Sequence, residues 1–197
     1  YLLGESAAFL RGLPAALHLA DELAFWQRFF ARLGIKTVTS EGYREGIREG
    51  KRLAQAEFCA PLAALHGHVH WLLSRCDYVF APFALERRTG EKGLRRQYCY
   101  YTQFAPALVR AAEDQGDEKR ILTPLVHYLY PALGTKLQLY RMVAAFHPGI
   151  SYFTVAAAYD EAVAFHEAAL AKWRTLYRHA TEGAEGIHVV LMGRPYT

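Results

Sequence analysis

Cys59, in the turn Glu57-Phe58-Cys59-Ala60-Pro61, and Cys99, in Gln97-Tyr98-Cys99-Tyr100-Tyr101-Thr102, are the residues best suited to chemistry. Each thiol sits just ahead of a helix-like segment, and Pro61 suits a first helical turn. Free N–H groups and the dipole at a helix start favour thiolate, the form that binds metals. Two thiols so placed are what a metal or iron–sulfur site needs. They lie far apart along the chain and form no local CxxC signature, so the fold has to unite them. The competing reading of a cysteine is a small buried hydrophobe, and Cys76 is read that way.

The run His66-Gly67-His68-Val69-His70 follows the first thiol. His66 and His70, four apart, share one helix face, as two zinc ligands can, while His68 points elsewhere. Gly67 and His68 stand where an HExxH motif needs its general base. A zinc site of Cys59, His66 and His70, and ordinary hydrogen bonding by the same histidines, both remain open. Ser40 and Arg194 follow candidate strands, at the carboxyl edge where ligands of open parallel sheets collect. They are the candidate catalytic residues, and Arg194 is able to hold a phosphate or carboxylate bidentately. The basic residues Arg87, Arg88, Lys92, Arg95 and Arg96 read as a solvated loop; in use they would suit an acidic partner such as a coenzyme A phosphate. Neither phosphate-binding glycine motif (GxxxxGK[ST], GxGxxG) nor a GxSxG elbow is present.

Among the elements that must hold these residues, Phe9–Leu17 is apolar, broken by Gly12 and Pro14, and reads as a first strand. His18–Leu33 is predicted as a helix, its stripe of Leu23, Trp26, Phe30 and Leu33 ended by Gly34. Ile35–Thr39 alternates like a strand, and Ser40 is placed to cap a helix over Glu41–Ala56. Glycines at 42, 46 and 50 would cost that helix about 1 kcal/mol each. A close approach of another backbone or a ligand along that ridge is therefore expected, most simply helix–sheet packing. Its pairs Glu41–Arg44, Glu45–Arg48 and Glu49–Arg52 read as a solvated face.

Leu62–Arg75 is a predicted helix and Asp77–Ala81 a buried strand ending at Pro82. After the polar loop Leu85–Gln97 come a helix over Phe104–Asp114, a strand over Ile121–His127 and a helix over Leu133–Phe146. His147-Pro148-Gly149 breaks the chain. Thr154–Thr181 is one long amphipathic helix, with Val155, Tyr159, Val163 and Leu170 on or near one face, and Ile187–Met192 reads as a last apolar strand. Strands apolar on both faces and alternating with helices predict an α/β fold, a parallel sheet flanked by helices.

The 197 residues suffice for a single α/β domain over 1–197 with its own core. The last strand and its exit loop, Gly193-Arg194-Pro195-Tyr196, run straight to Thr197, and Tyr1 is not a start residue, as expected of a fragment of a longer multidomain chain. A formal charge of +4 with scattered basic residues gives no nucleic-acid commitment. Three widely spaced cysteines make no disulfide framework, which suits a cytoplasmic setting. No apolar run approaches the roughly 20 residues of a membrane-spanning helix.

The chain resembles the domain carried by large acyl-CoA dehydratase activase-related proteins (CoA-substrate-specific enzyme activases), itself akin to 2-hydroxyacyl-CoA dehydratase subunits. The resemblance rests on Leu13-Pro14-Ala15-Ala16-Leu17, Phe25-Trp26, Phe29-Phe30 and Leu33-Gly34 through Val38-Thr39-Ser40. It continues in Glu57-Phe58-Cys59-Ala60-Pro61, His66-Gly67-His68, Asp77-Tyr78-Val79-Phe80-Ala81-Pro82, Tyr98-Cys99 and Gly193-Arg194-Pro195-Tyr196. It implies a Rossmann-like domain tied to ATP-driven, low-potential electron delivery to an acyl-CoA dehydratase. It further implies a [4Fe–4S] cluster with Cys59 and Cys99 as metal ligands and Ser40, His66 and Arg194 lining the cleft. Such a cluster takes four ligands, so the set in this chain is incomplete. The implied partners are the remainder of the longer chain, including an activase ATPase domain, and the dehydratase. A non-catalytic docking or scaffold domain of the same system is the alternative.

Overall fold

A computed structural model describes residues 11–87, 96–114, 116–126, 132–183, 185, 186 and 189. The first strand, β1 (Arg11–Leu13), ends well before the predicted Leu17 because Pro14 has no N–H to continue a ladder. It pairs in parallel with β2 (Thr37–Thr39) on one side and β3 (Tyr78–Phe80) on the other, and β3 pairs in parallel with β7 (Ile121–Leu122). The resulting order, β2-β1-β3-β7, reverses direction of growth beside β1, the point where open sheets take ligands. The predicted α/β class with a parallel sheet is the observed one.

The predicted strand ends at Pro82 and within Ile121–His127 are refined by the structure. Pro82 and Pro124 interrupt neighbouring strands at one level, and pairing resumes as β4 (Phe83–Ala84) with β8 (Leu125–Val126), also parallel. Backbone bonds bridge the interruption, Ala81 N–H to Leu122 O and Phe83 N–H to Pro124 O, both 2.9 Å. The ends of the expected polar loop form a short antiparallel pair, β5 (Glu86–Arg87) with β6 (Arg96–Gln97); its basic residues 88–95 lie outside the described residues.

Helix α1 (His18–Arg32) buries the predicted Leu23, Trp26 and Phe30, and also Phe25 and Phe29. The wider apolar sector exists because α1 is covered twice. Trp26 and Phe30 meet Phe80 of β3 at 4.6 and 5.2 Å between ring centroids, while Phe25 meets Tyr159 of the last helix at 5.7 Å. That helix, α6 (Tyr152–Thr181), is capped by Ser151, whose Oγ accepts the Thr154 N–H at 3.0 Å. Arg28 and Arg32 clamp α6 through Glu161. Helix α5 (Ala132–Ala144) precedes it, starting one residue before the predicted Leu133–Phe146 and ending two residues short of it.

The helix expected over Glu41–Ala56 is shorter: α2 covers Gly46–Ala54. Gly42, at φ +80°, lies in a turn whose Tyr43 N–H bonds Ser40 O, so Ser40 starts a turn and caps no helix. The glycine ridge has a partner of a different kind from the sheet expected. Gly46 and Gly50 press on α3 (Ala60–Leu73), where a Cβ on Gly50 would overlap the Ala63 carbonyl and one on Gly67 would overlap the backbone of Gly46. Two helices thus meet backbone to backbone, offsetting what the glycines cost in helix propensity. The pairs Glu45–Arg48 and Glu49–Arg52 form on the outer face as predicted, at 3.0 and 3.1 Å.

Helix α4 (Tyr100–Ala112) starts four residues earlier than its apolar pattern suggests, and the 3-10 turn Asp117–Arg120 leads from it into β7. The predicted strand Ile187–Met192 and Arg194 fall outside the described residues except at Val189. No helix among the described residues is long and apolar enough to cross a membrane.

Candidate functional site

Helices that run antiparallel to the parallel strands they feed must begin at the carboxyl edge of the sheet. Helix α3 feeds β3 and α4 feeds β7, so both open at the edge that also carries Ser40, after β2, and the β1–α1 turn. Cys59 and Cys99 are the N-cap residues of these two helices, with near-identical backbones: φ −60°, ψ 149° and φ −62°, ψ 156°. Neither thiol caps a backbone N–H, and both are exposed. The Cys99 Sγ lies 3.3 Å from the Thr102 hydroxyl.

Aromatic residues beside the thiols tie the two helix starts together. Phe58, directly before Cys59, packs edge-on against Tyr101 in the first turn after Cys99, ring centroids 5.7 Å apart. Tyr98, directly before Cys99, packs on His18 at the start of α1, at 5.5 Å. The fold therefore brings the two thiol-bearing turns to one neighbourhood. The surrounding aromatics are open to solvent: Tyr100 is 80% and Phe104 58% exposed.

Behind Phe58 lies His66, 1% exposed, its ring stacked on Phe58 at 5.7 Å with an interplanar angle of 11°. Both ring nitrogens are buried without a hydrogen-bond partner. Burial pushes its pKa down to about 4, so the ring is neutral at neutral pH. An orphaned imidazole costs stability, and this one stands directly behind the phenyl ring that links the two thiols.

His68 points away from His66, as expected, and engages Ser40. The Ser40 Oγ accepts the Ala15 N–H at 2.8 Å and lies 2.6 Å from His68 Nδ1. Tyr43 packs edge-on to the same imidazole at 5.4 Å, and burial lowers the His68 pKa to about 4. Ser40 is 0% exposed and its hydroxyl is occupied from both sides. Its role on this geometry is to hold the β1 and β2 exits against α3. Leu17 completes the edge with φ 53° and ψ −140°, a backbone region costly for any residue with a side chain.

The i,i+4 histidines do not converge. His70 is exposed and its Nδ1 lies 2.9 Å from Glu113 Oε2, a carboxyl whose pKa burial raises, whereas His66 faces Phe58. Among the described residues no group of three His, Cys, Asp or Glu is placed to hold a metal ion, so the arrangement of Cys59, His66 and His70 as a zinc site does not form. Cys76 is the buried thiol expected, lying 3.0 Å from Leu72 O beneath Gly12 and with its pKa raised by burial. Sequence patterns gave no signal for Phe58, Tyr101 or Arg120. The Arg120 guanidinium closes the end of α3 by donating to Leu73 O and Cys76 O, both at 2.6 Å.

The family described as CoA enzyme activase uncharacterised domain matches residues 11–197, a span that includes both N-cap thiols and the buried histidines. No curated protein and no solved structure matches the chain.

Proposed function

The chain belongs to the CoA enzyme activase uncharacterised domain family, and from that premise we propose that Cys59 and Cys99 are two ligands of a [4Fe–4S] cluster in an acyl-CoA dehydratase activase system. The Phe58–Tyr101 contact supports this reading, because it joins the two turns that bear these sequence-remote cysteines. The donor set fits in kind, since thiolates are the ordinary ligands of such clusters. It is half of what four irons take, and the remaining ligands come from outside the described residues: another part of a longer chain, another subunit or the substrate.

A bound cluster would supply low-potential, one-electron transfer to a 2-hydroxyacyl-CoA dehydratase, driven by the ATPase of the activase. This chain's own residues do the holding. Cys59 and Cys99 stand at the N-caps of α3 and α4, with neither Sγ engaged in a capping bond. The thiols stand open to solvent among exposed aromatics, where further ligands can reach them, and the neutral His66 has ring nitrogens to offer behind Phe58. Ser40 keeps the strand exits in place, and Arg194 is assigned to an anionic group of the substrate.

Anaerobic reconstitution of the full chain with iron and sulfide tests the proposal. Retained iron and sulfide with a visible chromophore are expected, both lost in the Cys59→Ser/Cys99→Ser double variant. Serine is the better N-cap residue, so that variant should melt no lower than the parent, which separates loss of iron from loss of fold. A parent chain that stays colourless and iron-free would overturn the assignment.

The exposed Tyr100 and Phe104 favour a second reading, a docking domain between the ATPase and the dehydratase. Under it, replacing both cysteines leaves the activity of the assembly unchanged.

A further inference from the structure

The two N-cap thiols share a backbone geometry but differ in their surroundings. The third residue of a helix is placed so that its side chain reaches back over the N-cap residue. In α4 that residue is Thr102, 6% exposed, and its Oγ1 stands 3.3 Å from the Cys99 Sγ. In α3 it is Leu62, fully buried, whose side chain has no donor to give Cys59. The turn before Cys99 is fixed as well. Its Tyr98 N–H donates to Leu85 O at 3.0 Å, and the Gln103 side-chain amide donates to Tyr98 O at 2.6 Å. Backbone and hydroxyl together fix where the Cys99 sulfur points.

We propose that Thr102 is a positioning residue for Cys99, its hydroxyl donating to the sulfur when that sulfur binds iron, so that the two cysteine ligands are unequal. This rests on the cluster assignment above. The direction of the bond follows from the chemistry of the donor atoms. A free thiol has a hydrogen of its own and is either donor or acceptor toward a hydroxyl. A metal-bound sulfur has lost its proton and only accepts. A donor aimed at a ligand sulfur draws charge from it and stabilises the reduced, more negative state, so that the bond raises the reduction potential. Thr102 exerts that pull through Cys99, while Leu62 leaves Cys59 without it.

Thr102→Val keeps the shape of the side chain and removes its hydroxyl. In dye-mediated redox titration of the anaerobically reconstituted full chain, it should lower the reduced-to-oxidised ratio at a fixed potential about fivefold, the effect of one neutral hydrogen bond. Iron content should stay unchanged, and Thr102→Ser, which retains the hydroxyl, should restore the parent midpoint. A second readout needs no iron. In the Raman spectrum of the thiol form, the S–H stretching band that Cys99→Ser abolishes should move in Thr102→Val and return in Thr102→Ser, while the band that Cys59→Ser abolishes stays in place. A loaded Thr102→Val chain with the parent midpoint would overturn the proposal, and so would a Cys99 band that does not move. A parent that takes up no iron yet shows the band shift would sink the cluster assignment instead, leaving Thr102 as the residue that holds the Cys99 sulfur.

Discussion

Ser40 shows how little of a buried residue's role its type reveals. Its position after a strand suggests chemistry or a helix cap, but its hydroxyl is shared between the Ala15 N–H and His68. Ser40→Ala would strand both partners in the interior, so a loss of about 2 kcal/mol is expected in urea denaturation. His66 should behave in the opposite way. With no partner to lose, His66→Leu is expected to raise stability by about 1 kcal/mol while weakening iron retention. The two buried histidines also set the acid limit. Their folded pKa values of about 4 lie below the unfolded value of 6.5, so the unfolded chain takes up protons first as pH falls. Stability is then full above pH 6.5 and is lost progressively toward pH 4, by up to about 3 kcal/mol per histidine. Urea midpoints at pH 7 and pH 5 should differ accordingly, and less so in His66→Leu.

The elements were legible where one face of one element meets one neighbour. The spacing of Leu23, Trp26 and Phe30 locates α1, and the long apolar pattern after the His147-Pro148-Gly149 break locates α6, because each pattern reports local periodicity. Legibility failed where a second element intervenes. Phe25 is buried against Tyr159 of α6, which crosses α1, and the glycines at 46 and 50 serve a helix, which the spacing alone does not distinguish from a sheet. The thiol turns were legible one at a time as helix starts, while their meeting depends on Phe58 and Tyr101, a contact between residues with no shared motif. Gly50→Ala is expected to cost about 3 kcal/mol by forcing α2 off α3. Gly134→Ala, in α5 with open space around it, should instead raise the melting temperature slightly, by about 0.5 kcal/mol in stability. Thermal melts of the two variants should move in opposite directions.

At the scale of the whole molecule, stability is unevenly spread. Amide exchange should be slow in α6 up to Ala162 and faster beyond it, where none of its described residues is buried. The sheet is uneven too. Helix α3 leans on β1 and β3, whereas α4 leans on β4, past the level where Pro82 and Pro124 break adjacent strands together. The sulfur of Cys59 therefore rides on one plate of the sheet and that of Cys99 on the other. Helices α3 and α4 also pack on each other, and Phe58 on Tyr101, so the two sulfur-bearing turns are braced across that crease by helix and ring contacts where the ladder itself is broken.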